Sequence, residues 1–101
     1  MSDPPPPPSS PTLVTRTVTI SNTRGLHARA AAKFVTLAER YGASVDVLRD
    51  GQVVSARSIM GLMMLGAGKG SDIELQGDGW DAKEAVDALA ALVEAGFHEQ
   101  D

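Results

Sequence analysis

The residues Thr15 to Ser21 read TRTVTIS, with Val18 and Ile20 alternating with polar neighbours. This two-residue period and the β-branched content predict a strand with Val18 and Ile20 facing inward. NTRG then turns the chain. From Ala28 the period changes: Ala31, Phe34, Val35, Ala38 and Tyr41 fall on one side of a helix, and Arg29, Lys33, Thr36 and Arg40 on the other. Gly42 is the expected C-terminal cap of that helix. Ser44 to Arg49 alternates again around Val45 and Val47, Asp50-Gly51 is the dipeptide of a tight hairpin, and Gln52 to Val54 is the returning strand. SIMGLMML, Ser58 to Leu65, predicts a short helix closed by Gly66, with GAGKG as its exit. A fourth strand is expected over Ser71 to Gln76, with Ile73 and Leu75 inward. Asp81 followed by Glu84 has the spacing of a capping box, and Ala82, Ala85, Val86, Leu89, Val93 and Gly96 form the inner stripe of the last helix.

The resulting order is βαββαβα. Each strand has one apolar face to cover, which predicts an α+β open-faced two-layer sandwich: a four-stranded antiparallel sheet with three helices on one face. At 101 residues, 43% of them apolar, the chain supports one modest aliphatic core. The folded domain is expected over residues 12–101. MSDPPPPPSSP, residues 1–11, predicts a disordered, semi-stiff proline-rich tail, because consecutive prolines cannot donate backbone hydrogen bonds and favour the polyproline II form. That stretch has neither the basic start nor the apolar run of a signal peptide or membrane anchor. With no cysteine, the chain has no disulfide, thiol nucleophile or thiolate metal site, and it fits a cytoplasmic setting. Two histidines far apart in sequence make a poor zinc site, so no metal is expected.

Charge divides the chain. The formal net charge is -4, yet from Arg16 to Lys69 eight Lys and Arg face three acids, whereas from Gly70 onward nine acids face Lys83 alone. The basic part suits an acidic or phosphorylated partner. Nucleic acid is disfavoured by the overall acidity, the scarcity of aromatics and the lack of a dense basic run.

The basic part contains GLHARAAAKFV, Gly25 to Val35, in which a histidine stands where a helix cap would ordinarily be Ser, Thr, Asp or Asn. An imidazole there lies beside the unpaired N–H groups of the first turn, those of Arg29 and Ala30, at the positive end of the helix dipole. A phosphoryl group on His27 would find donors in those amides and a charge-assisted donor in the Arg29 side chain. GLHAR after a strand, before an apolar-periodic helix and followed by SIMGLMMLGA, resembles the HPr family of phosphocarrier proteins of the bacterial phosphoenolpyruvate-dependent phosphotransferase system, from about Thr12 to Glu94.

The resemblance implies that His27 carries the phosphoryl group on Nδ1, taking it from phosphorylated enzyme I and passing it to an EIIA-type protein, with Arg29 as its partner. It also implies that Ser58 is the site of a regulatory HPr kinase/phosphorylase. The family usually has proline where this chain has Ala30. Alanine there, with ARSIMGLMMLGAGKG, resembles the nitrogen-related proteobacterial branch more than the sugar-uptake branch.

SIMGLMML is apolar around too much of its circumference to be buried whole, so Ile59, Met60 and Met63 are expected to be partly exposed as an adaptable docking patch with Arg24 and Arg29. The family resemblance places enzyme I and EIIA contacts there. GAGKGS, Gly66 to Ser71, lacks the spacing and the Ser/Thr of a P-loop. His98 reads as an exposed tail residue. With no catalytic constellation, the expectation is a monomeric phosphoryl carrier without cofactor, not an enzyme. Two other readings stand beside it: a regulatory binding module that never carries phosphate, and, ranked last, a small RNA-binding domain.

Overall fold

The computed structural model describes residues 13–99. The expected tail over residues 1–11, and both ends of the predicted domain at 12 and 101, lie outside the described residues. The element order is β1 (Val14–Thr19), α1 (Ala28–Ala38), β2 (Ser44–Arg49), β3 (Gln52–Ser55), α2 (Ile59–Met64), β4 (Asp72–Asp78) and α3 (Ala82–Glu94), then a 3-10 turn over Gly96–His98. The four strands form one antiparallel sheet in the order β1-β4-β2-β3. Val18, Val45, Val47, Ile73 and Leu75 point to the covered face, where Phe34, Leu62, Val86, Leu89 and Val93 of the helices close the core. Asp50 and Gly51 both take positive φ, 50° and 80°, as the hairpin between β2 and β3 requires.

Three expectations about helix ends are corrected. Helix α1 ends at Ala38 with Glu39 as its C-cap, well before Gly42. Gly42 is not among the positive-φ residues. Its smallness serves another end: a Cβ there would stand 2.8 Å from Trp80 Nε1. Asp81 does occupy the N-cap of α3 but caps nothing with its side chain. Its carboxylate instead accepts the amides of Gly42 at 2.9 Å and Ala43 at 2.7 Å, tying the exit of α1 to the entrance of α3. Gly96 is not on the inner stripe of α3, which ends at Glu94; with φ 63° it begins a left-handed turn continued by Phe97 at 56° and His98 at 59°. The strand boundaries shift slightly: β1 runs from Val14 to Thr19 and β4 extends to Asp78.

The connection from β1 to α1 positions the site. Ile20 continues the pairing beyond the strand, donating to Ser71 O at 2.8 Å and accepting from Gly70 N at 2.8 Å. Leu26 N then donates to Ala67 O at 3.0 Å, so the loop after α2 fixes the loop before α1. Gly25 sits between them at φ 65°, where a Cβ would come within 2.5 Å of Ala67 O. Only glycine fits there, for both the conformation and the space.

Candidate functional site around His27

His27 is the N-cap of α1, with extended backbone at φ -74° and ψ 176°. Ala31 N makes the first intrahelical bond, to His27 O at 2.9 Å, so the amides of Ala28, Arg29 and Ala30 precede the helical ladder. Arg29 N donates to His27 Nδ1 at 3.3 Å. Nδ1 therefore holds a lone pair and the ring proton belongs on Nε2, which contacts the carboxylate of Glu99. The side chains of His27 and Glu99 are only 16% and 12% exposed, so the ring is more enclosed than an exposed cap.

Asn22 completes the arrangement. It is 3% exposed, and its Nδ2 donates to Gly25 O at 2.9 Å and to Glu99 Oε1 at 3.0 Å. The sequence singles out neither Glu99 nor Asn22. No pattern linked residues more than seventy positions apart, and the left-handed turn that joins them is formed by Phe97 and His98 rather than by glycines alone. Phe97 is fully buried and its carbonyl accepts Lys33 Nζ at 2.7 Å.

The other predicted residues separate into two regions. Arg24 and Arg29 are exposed near His27, and Ala30 is buried in the first turn of α1. Arg29 and Lys33 on α1 and Arg40 just beyond its C-cap line a groove of about 460 Å³ together with Leu37, Leu92 and His98. His98 is exposed, as expected. Leu62 on α2 and its C-cap Leu65 are buried while Ile59, Met60 and Met63 are 40%, 68% and 40% exposed; Met64, at 73%, extends the same surface. Ser58 is the N-cap of α2, its Oγ accepting Gly61 N at 2.9 Å. Among the described residues no cluster of His, Cys, Asp or Glu could hold a metal ion, and no helix is long and apolar enough to cross a membrane.

Chemically, Nδ1 is a nucleophile at a helix N-terminus with its proton held on the far side of the ring. An N–H that now binds the lone pair lies where it could bind an anion instead. Residues 14–95 match the family model described as the PTS HPr component phosphorylation site. The chain is 49% identical to the phosphocarrier protein HPr of Cupriavidus necator, over 86% of this chain and 98% of that one. It is 47% identical to the phosphocarrier protein NPr of Shewanella violacea, over 87% and 97%. Among solved structures it is similar to HPr from Thermoanaerobacter tengcongensis, with TM-score 0.83 and 41% identity over 87% of this chain and 99% of that one.

Proposed function

The chain belongs to the HPr family of phosphocarrier proteins of the phosphotransferase system, and from that premise we propose that His27 accepts the phosphoryl group on Nδ1, from phosphorylated enzyme I, and passes it to an EIIA-type protein. Such a protein is a carrier, a covalent intermediate between partners rather than an enzyme. The observation that supports His27 is its orientation: Nδ1 faces the first-turn amide of Arg29 while Nε2 is occupied on the opposite edge. When Nδ1 attacks phosphorus, its bond from Arg29 N is free to pass to a phosphoryl oxygen. The amide of Ala30 and the guanidinium of Arg29 add donors at the same helix end.

The setting we propose is the cytoplasm and the nitrogen-related regulatory branch. The branch rests on Ala30 in place of the usual proline and on the likeness to an NPr. The sugar-uptake branch stands as the second reading, favoured by the slightly greater likeness to a protein named HPr. Ser58, half-buried at the head of α2 and next to Ile59 and Met60, is proposed as the site of HPr kinase/phosphorylase regulation. The exposed side of α2, with Arg24 and Arg29, is proposed as the surface that docks enzyme I and EIIA.

The test is incubation with phosphoenolpyruvate and enzyme I, followed by intact mass. An acid-labile gain of one phosphoryl group on the wild type, absent from a folded His27→Ala variant, is the expected result; undiminished labelling of the variant refutes the assignment. Transfer from the labelled protein to nitrogen-type and sugar-type EIIA proteins, compared side by side, decides the branch.

A further inference from the structure

The end of the described chain is built in a way that core packing alone does not require. Two successive non-glycine residues, Phe97 and His98, take left-handed backbone at φ 56° and 59°. That conformation is disfavoured by contact between Cβ and the backbone, and it persists only where surrounding structure overrides it. Here the surroundings are the buried ring of Phe97, the Lys33 ammonium on its carbonyl, and Glu99 brought against His27 and Asn22. Both Glu99 oxygens are engaged, Oε1 by Asn22 Nδ2 and Oε2 by His27 Nε2. Asn22 cannot swing away freely, because the same amide nitrogen also binds Gly25 O in the turn that leads to His27.

We propose that Glu99 is a positioning residue for phosphoryl transfer: its carboxylate, steadied by Asn22 and by the left-handed turn, keeps the ring proton of His27 on Nε2 and so leaves the nucleophilic lone pair on Nδ1. This rests on the reading that His27 is the phosphoryl acceptor. In the forward step the Nδ1 lone pair forms the N–P bond, and the bond from phosphorus to the donor atom of the phosphorylated partner breaks with its electron pair going to that atom. The imidazole thereby gains positive charge, which a carboxylate on Nε2–H offsets. In onward transfer the N–P pair returns to Nδ1 and leaves a neutral ring still protonated on Nε2. No proton has to move in either direction. The carboxylate that orients the histidine of a hydrolase triad acts by the same physics.

The test uses the full chain with Glu99→Gln and Glu99→Ala. Long-range proton–nitrogen NMR correlations of the neutral imidazole read the tautomer directly. The wild type should hold its proton on Nε2, and Glu99→Ala should show a mixture. Glu99→Gln can still accept the Nε2 proton through its amide oxygen but carries no charge, so it should keep the tautomer and lose rate. Phosphoryl uptake from phosphorylated enzyme I should fall about five- to tenfold in Glu99→Gln, the difference between a charge-assisted and a neutral hydrogen bond, and further in Glu99→Ala, which keeps neither. A wild-type tautomer distribution in Glu99→Ala, or wild-type uptake rates in both variants, overturns the role of Glu99 and leaves the carrier reading standing. If Glu99→Ala disturbs the turn, the rate of the near-isosteric Gln variant decides. A wild-type protein that takes up no acid-labile phosphoryl group overturns the His27 reading, and Glu99's part in transfer with it.

Discussion

Asp81→Ala should destabilise the domain far more than the loss of a helix cap. Asp81 is 6% exposed and its two carboxylate oxygens accept separate backbone amides, those of Gly42 and Ala43. A hydrogen bond to a charged group is worth roughly 1.5–3 kcal/mol, and a buried donor left without a partner carries a desolvation penalty of similar size. The Ala43 bond is buried and the Gly42 bond partly so, which lets water replace only the second. The expected loss is therefore about 3 kcal/mol, against about 1 kcal/mol for an ordinary cap. In a domain of this size it corresponds to a fall in melting temperature of roughly 12–24 °C. Urea unfolding at neutral pH measures it, with Glu84→Ala as the internal comparison. A capping box would make the two variants similar, whereas the observed bonds predict that Glu84→Ala stays within about 0.5 kcal/mol of wild type. A loss near 1 kcal/mol for Asp81→Ala, with unshifted amide resonances at Gly42 and Ala43, refutes the clamp.

Met60→Glu should leave stability within about 0.5 kcal/mol, because the side chain is 68% exposed, but weaken enzyme I binding about tenfold or more by placing a charge in the docking surface. A large fall in melting temperature with unchanged affinity of the folded fraction would contradict the docking role. Ser58→Asp should preserve the fold, since aspartate also caps helices well, and reduce enzyme I affinity through its charge beside Ile59 and Met60. Undisturbed affinity would leave Ser58 as a cap only. The hydrogen bond from Lys83 holds the Asp87 carboxyl below the usual aspartate value, against a smaller opposing effect of desolvation and with further help from the charges of Lys83 and Arg16. Its stabilisation is present above the unfolded-state value and lost as pH falls through the folded-state one. Asp87→Asn should therefore differ from wild type more at about pH 7 than at about pH 3, by a small amount at so exposed a site, as urea melts would register; an equal gap at both pH values refutes it.

The sheet, the order of the elements and the exposed side of α2 were legible because they depend on periodicity, which is local. Val18, Val45, Val47, Ile73 and Leu75 alternate as strands must, and Leu62 with the C-cap Leu65 are the positions in and after α2 that burial selects. His27 was legible because it violates a local rule, standing where a cap residue should be. What escaped notice was long-range. Nothing near Asp81 indicates that its carboxylate is claimed by Gly42 and Ala43, and its spacing to Glu84 suggested the opposite. Glu99 reaches His27 only because Phe97 and His98 adopt a backbone conformation that neither residue type advertises. Pattern reasoning assigns such residues to a tail by default.

The three helix N-termini show how a departure from a local rule can be read. Ser58 obeys it, capping α2 with a 2.9 Å bond to Gly61 N. Asp81 sits at the right place and caps nothing, because its oxygens bind two amides of the preceding loop. That departure is structural: every polar atom involved is consumed within the fold and none faces a partner. His27 is the third case. Its bond to Arg29 N is long, 3.3 Å, and an imidazole nitrogen is a poorer cap than a serine or aspartate oxygen, so the residue is not there for the stability of α1. The nitrogen it presents is weakly held at the helix, while the opposite nitrogen meets a carboxylate brought from more than seventy positions away. A cap chosen for stability would have the opposite distribution, tight at the helix and free elsewhere. A weak bond at Nδ1 and a carboxylate partner at Nε2 is the arrangement a ring needs if it is to give up one bond, take a phosphoryl group at that atom, and return to the same state after passing it on.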